Sequence, residues 1–325
     1  MLENPKSLRY STGMSDDPFS TILKFTNSET VVSGGFSAGG RWAVRFPEMD
    51  KIKFSAVVRG NCWLLIDGQI APIRAETGDV FLLSGQQAFV LASDLESEPI
   101  QAASLFHDAG PRIANLGEGD DFFQIGGFVR VDPISGGLLL DVLPPLIHVK
   151  VTSPHAPVLQ WLVNQLVRER LSELPGSSLA SAQLAQLMLI EIVRAHLETS
   201  GRLPAGLLRA AHDPMIAPAL RLMHDDPGRV WHLDELAKAV SMSRTTFALH
   251  FKRAAGIPPL TYLAQWRMRL AERALREENT PVSLIASRLG YTSISAFSNA
   301  FKRFSGKAPK GYRSKIGVSA STIVE

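Results

Sequence analysis

Phe247-Ala248-Leu249-His250-Phe251-Lys252-Arg253 returns fifty positions later as Phe297-Ser298-Asn299-Ala300-Phe301-Lys302-Arg303. The match runs on, with Gly256, Pro259 and Tyr262 repeated as Gly306, Pro309 and Tyr312. Upstream the offset is forty-nine: Leu236-Ala237 and Val240 answer to Ile285-Ala286 and Leu289, so the second copy carries one extra residue in its turn. A motif repeated in this way is a supersecondary unit used twice. Each copy reads as helix, short turn, helix. In the first, Asp234 and Glu235 lie in an opening turn, where acids favour the positive helix end, and Leu236, Ala237 and Val240 form an apolar stripe. Ser241-Met242-Ser243 breaks that helix, Ser243 is the expected cap of a second helix over 244–255, and Gly256 with Pro258-Pro259 ends it. In the second copy Thr280 is expected to cap, Pro281 to open the helix and Gly290 to make the turn, before a helix over 293–304 that Gly306 and Pro309 close. Between the copies, residues 260–277 hold no Gly or Pro and mix apolar with basic side chains, which predicts a helix about 27 Å long. That approaches the roughly 34 Å between successive major grooves on one face of DNA.

The period sorts the faces of the two second helices. Phe247 and Phe251, like Phe297 and Phe301, are i, i+4 pairs that belong inside with the apolar stripe. The outward set is Thr245, Ala248, Leu249 and Lys252 in the first copy and Ser295, Ala296, Asn299, Lys302 and Arg303 in the second; Thr246 and Ser293 lie in the opening turns beside them. Asn299 has the amide to bond adenine bidentately, and Thr245 or Ala248 can pack on a thymine methyl. Arg244, Lys252, Arg253, Lys302 and Arg303 are expected on phosphates. Charge agrees. Residues 228–316 hold 16 Lys and Arg against 5 Asp and Glu, a net of +11, and since the chain is +3 the remainder carries −8. Such segregation predicts a polyanionic partner.

The 325 residues, 45% hydrophobic and 20% charged, have a soluble globular balance with room for two or three compact units. The most apolar run, Leu184 to Val193, is too short for a bilayer span, so no membrane partner is expected. A polar start and one cysteine, Cys62, point away from secretion and disulfides and toward the cytoplasm. From about Ser20 to Val151 short alternating runs are punctuated by Gly, Asp and Pro, which is the grammar of a β-sandwich or barrel. Helical spacing returns over 157–173 and 178–199. The second of these is apolar on most sides and has to be covered twice, by its own domain and, in a dimer, by a second subunit. Residues rich in Gly, Pro and small side chains follow, as in a linker.

Residues 213–316 resemble the DNA-binding domain of the AraC/XylS family of transcription regulators. The carriers are Leu284-Ile285-Ala286-x2-Leu289-Gly290-Tyr291, then Phe297-x3-Phe301-Lys302-Arg303 and Gly306-x2-Pro309-x2-Tyr312. The outward positions where relatives often carry arginine are Leu249 and Asn299 here, and Ser241 stands where the first turn often has glycine. The front half is similar to the cupin-like effector domain of one branch of that family, through Trp42-Ala43-Val44-Arg45-Phe46-Pro47, Gly60-x-Cys62-Trp63-Leu64, Gly78-Asp79-Val80-x-Leu82-Leu83 and Leu143-Pro144-Pro145-Leu146-Ile147-His148. The resemblance implies an α+β multidomain chain. A cupin-like β-barrel would occupy 15–152, a helical dimerisation segment 153–200, a linker 201–212, an all-α tandem helix-turn-helix domain 213–316 and a flexible tail 317–325. It also implies double-stranded promoter DNA, a small-molecule effector and RNA polymerase as partners, and a homodimer.

Trp42, Trp63, Phe89 and Phe106 are candidates to line an effector pocket, the other reading of the same aromatics being barrel core. No catalytic group, cofactor or metal is expected. Residues 60–92 hold no His, and His107, His148 and His155 form no His-x-His pair. A single cysteine also excludes a zinc-bound repair sensor that methylates a cysteine. The leading reading is a sequence-specific transcription factor. The alternatives are a metal-dependent cupin enzyme fused to a DNA-binding domain, and a nucleoid protein that coats DNA without sequence preference.

Overall fold

The computed structural model describes residues 16–25, 29–48, 51–85, 87–107, 113–130, 143–172, 174–199, 203–277 and 280–313. The expected tail, 317–325, and the start of the expected linker lie outside them. The chain divides into two compact units: residues 25–202, and residues 203–325 together with the first 24. No helix among the described residues is long and apolar enough to cross a membrane.

The first unit is built on two sheets. One has six strands in the order β11-β6-β3-β10-β1-β9, and here β1 is Glu29–Ala38, β3 Ile52–Arg59, β6 Val80–Leu83, β9 Ile113–Leu116, β10 Phe122–Arg130 and β11 Leu146–Val149. The other has the order β5-β4-β7-β2-β8, with β2 Ala43–Phe46, β4 Asn61–Ile66, β5 Ile73–Glu76, β7 Phe89–Ala92 and β8 Ile100–Gln101. The expected barrel is therefore two sheets, and no closed ring of strands runs through the described residues. One core joins them: Phe36, Val57 and Phe81 of the first sheet and Val44, Cys62, Leu64 and Phe89 of the second are buried in a single cluster. The chain changes sheets between β3 and β4 at Gly60, whose φ is +81° and where a Cβ would lie 2.3 Å from the Asp121 carbonyl oxygen. Glycine alone tolerates both conditions. A short helix, α2 (Ala102–Phe106), follows α1 (Pro18–Phe25) in chain order.

Helices α3 (Ala156–Ser172) and α4 (Ser177–Thr199) pack on each other, and α4 also lies against β1, β6 and β11. Within its own unit the apolar helix is thus covered by a helix on one side and a sheet on the other. Thr30 Oγ1 bonds Gln186 Oε1 at 2.7 Å across that seam. At the other end His155 reaches Glu191 at 2.6 Å and Glu198 at 2.9 Å, tying the start of α3 to the end of α4.

The second unit is helical: α5 Leu207–His212, α6 Ala217–Asp225, α7 Leu233–Ala239, α8 Arg244–Ala255, α9 Pro259–Glu277, α10 Val282–Arg288 and α11 Ile294–Ser305. The expected linker over 201–212 is corrected in its described part. Leu207, Leu208 and Ala210 of α5 are buried, and the Gly206 N–H donates to the Ala254 carbonyl at 2.8 Å. Six residues are too few to show a helical period in sequence, which hid this helix. The caps repeat as the duplication does. Ser243 and Ser293 accept from the N–H groups of Thr246 and Ala296, and Gly256 and Gly306 close their helices with φ of +81° and +76°. One cap differs from expectation: Pro281 is itself the N-cap of α10, which begins at Val282, so Thr280 stands one residue outside.

Candidate nucleic-acid interface

Helix α9 is the shared beam of the second unit. Its first half buries Tyr262, Leu263 and Trp266, and its second half buries Met268, Ala271 and Leu275. The later set joins Ile285, Ala286, Leu289, Phe297 and Phe301 in one cluster. The ring contacts repeat between the copies, Phe251 meeting Tyr262 edge-on at 5.7 Å and Phe301 meeting Tyr312 at 5.2 Å. All four phenylalanines, Phe247, Phe251, Phe297 and Phe301, are fully buried.

With the phenylalanines inside, the opposite faces of α8 and α11 are turned to solvent. Arg244, Thr245, Thr246, Leu249, Lys252 and Arg253 are exposed on α8 and Ala248 half-exposed; Ser293, Ser295, Ala296, Asn299, Lys302 and Arg303 are exposed at α11. Three of these hydroxyl and guanidinium groups already have partners. The Thr246 hydroxyl bonds Ser243 at 2.8 Å, Ser293 accepts from Ala296 as the cap, and Arg244 lies 3.7 Å from Asp234 on an exposed surface. An exposed pair of that length is screened and open to exchange for a phosphate. Neither α8 nor α11 has an acid in its first turn, so both positive helix ends stay open to anions.

The structure adds Ile294 to this face. Its i+3 and i+7 neighbours are Phe297 and Phe301, so the helical period places it inside. It is instead 51% exposed, because it is the first residue of α11 and no preceding turn stacks above it. Leu249, at 62%, is an exposed apolar side chain of α8.

The turns that set these helices agree in their hydrogen bonds. Met242 N–H reaches the Ala237 carbonyl and Tyr291 N–H the Ala286 carbonyl, at 2.9 and 3.0 Å. Ser241 and Gly290 hold the left-handed position, with φ of +55° and +79°. Arg267 of α9 donates to the Pro227 and Arg229 carbonyls, the latter at 2.8 Å.

The four aromatics expected at an effector pocket are partly assembled. Trp42 packs 5.3 Å from Phe36 and 4.6 Å from Phe122 in the core between the sheets. Phe89 stacks on Phe46 at 4.7 Å, and Phe46 lies 6.4 Å from Phe106. Trp63 is apart from them. It alternates with the buried Cys62 and Leu64 along β4, so it faces outward, under the Arg74 guanidinium at 5.0 Å. A cavity of about 200 Å³ lies elsewhere in this unit, between β3, the turn before β6, and α3; Thr77, Asp79, Gln160 and Asn164 give it polar walls. Burial works to raise the Asp79 carboxyl pKa, but bonds from His148, the Val151 N–H and the Glu76 N–H outweigh it and hold the group below the ordinary range. Burial pushes the Cys62 thiol up to about 12, which leaves it inert. Among the described residues no three His, Cys, Asp or Glu side chains are grouped to hold a metal ion.

Comparison with known proteins matches the chain in two parts. A cupin family model matches residues 17–198, and a helix-turn-helix domain model matches 236–315. An AraC-like transcription regulator of Streptomyces antibioticus is 41% identical over 91% of this chain and 98% of its own. The HTH-type transcriptional regulator AlkR of Acinetobacter baylyi is 31% identical over 84% of this chain and 91% of its own. Among solved structures, the DNA-binding domain of AdpA in complex with a target DNA is 28% identical, with a TM-score of 0.32, over 34% of this chain and 98% of that one.

Proposed function

This chain belongs to the AraC-like transcription regulators and is a DNA-binding transcription factor, and from that premise we propose that α8 and α11 enter successive major grooves of one duplex. The observation that carries this reading is the paired face: two helices of equal length and equal caps, phenylalanines buried behind, short or amide side chains and Lys-Arg pairs in front. Phosphate contacts by Arg244, Lys252, Arg253, Lys302 and Arg303 position the helices. Thr245, Ala248, Leu249, Ser295, Ala296 and Asn299 read base edges, with Thr246 and Ser293 at the rim.

The first unit serves as the sensor, taking a small-molecule effector in the region of Phe89 and Phe106, and α3 and α4 pair two chains into a homodimer. Val158 and Trp161 of α3 and Leu187 of α4, roughly half exposed, supply apolar surface for that pairing. RNA polymerase is the further partner of a promoter-bound dimer. The relatives are regulators by name, which weighs against the fused-enzyme reading.

The test is a salt titration by fluorescence anisotropy, with a duplex selected from a random pool by the full chain and with a random duplex. A regulator binds the selected duplex at least about 10³-fold tighter; a ratio near 1 would identify a coating protein instead.

A further inference from the structure

Three segments that sequence places far apart converge on one point of the second unit. The loop 227–229 precedes α7 and belongs to the first helix-turn-helix, the turn 288–290 belongs to the second, and Arg267 stands on the beam between them. A Cβ on Gly228 would lie 2.3 Å from the Arg288 carbonyl oxygen, and one on Gly290 would lie 2.2 Å from the Gly228 carbonyl oxygen. The two backbones are in contact with no room for a side chain at either glycine. Gly290 also needs its φ of +79°. Arg267 closes the site by donating through Nε to Pro227 and through Nη2 to Arg229, while Nη2 lies 3.4 Å from where a Gly290 Cβ would stand. Its guanidinium is half-buried and spends its donors on carbonyls of the first copy, at the seam with the second.

A 19-residue helix alone would fix the distance between the two copies but leave their relative rotation to the stiffness of one rod. A second contact off the axis removes that freedom. We propose that Arg267, with the Gly228–Gly290 backbone contact, is a positioning lock that sets the rotation and spacing of α8 relative to α11, and so makes the chain selective for the number of base pairs between its two half-sites. The proposal rests on both helices engaging one duplex. One base pair moves a half-site by about 3.4 Å and rotates it by about 35°, so a locked pair cannot follow an inserted base pair without losing contacts.

The experiment compares the full chain with Arg267→Met on the selected duplex and on versions with one base pair inserted or deleted between half-sites. Circular dichroism and thermal melting report on folding. For the wild type we expect a loss of about tenfold or more per shifted base pair, the range of a mismatched contact. For Arg267→Met we expect weaker binding to the best duplex and a spacing loss of about threefold or less. A variant with the wild-type spacing loss overturns the lock. A wild type indifferent to spacing overturns the two-groove reading beneath it. Arg267→Lys, which keeps the charge but lacks the planar fork that spans both carbonyls, is the fallback and should fall between the two. If neither variant folds, Arg267 is a folding element and the proposal is wrong.

Discussion

Ser241 is held at a φ of +55°, and among the described residues it is the one non-glycine with positive φ. Its counterpart in the second copy, Gly290, occupies the same region without a Cβ penalty. Ser241 is exposed, so a glycine there sacrifices no packing. Ser241→Gly should therefore stabilise the second unit by about 0.5–1 kcal/mol, a rise of a few degrees in its thermal midpoint by calorimetry. Lys302 and Asn299 test the other kind of residue, the kind that faces outward. Lys302→Ala should weaken binding to every duplex and lower the salt slope by about 1, whereas Asn299→Ala should cost about 1–3 kcal/mol on the selected duplex and little on random DNA. Equal losses on both duplexes would remove Asn299 from the base-reading set.

Helices α8 and α11 were legible in sequence almost to the residue, because period, cap and stop signals agree on both. Phe301 shows how sharp the inward assignment is. It is fully buried between Phe297 and Tyr312, and Phe301→Ala should cost about 3–5 kcal/mol, unfolding the second helix-turn-helix by circular dichroism while the sheets of the first unit persist. Elements whose signals are weaker were read less well. Helix α5 is one turn and a half, and its Leu207 and Leu208 look like any apolar pair in a linker. Ile294 shares the period of Phe297 and Phe301 but opens its helix, where no preceding turn covers it. Trp63 illustrates the limit for strands: alternation places it opposite Cys62, yet which of those faces is the inner one depends on the partner sheet. The contact of Gly228 with Gly290 had no sequence signal at all, since it joins a loop to a turn sixty residues on.

At the scale of the whole molecule, His155 in the first unit and His224 in the second should answer pH in opposite senses. In the first, the bond to Glu191, aided by Glu198, raises the pKa of His155 above its ordinary value. That stabilisation is complete below the unfolded value and is lost as pH rises through the folded one, from about pH 6.5 upward. In the second, burial pulls His224 down to about 3, and the neutral ring bonds Tyr262 and stacks on Trp266. Unfolding lets it take up a proton, so this unit loses stability as pH falls below about 6.5. Two calorimetric transitions should diverge between about pH 6 and 8, and His155→Gln should remove the alkaline loss alone. A single transition that moves one way, or an unchanged alkaline loss in the variant, would contradict these assignments. The duplication has a last consequence. A symmetric pair of readers sees a palindrome, which has no left or right. If α8 and α11 read base edges as proposed, Leu249 answered by Asn299 and Arg244 by Ile294 on one continuous chain give the address of each chain a direction, like an arrow painted on the DNA. Turning the site end for end turns the bound protein round with it, and the same base pairs then point toward a different gene.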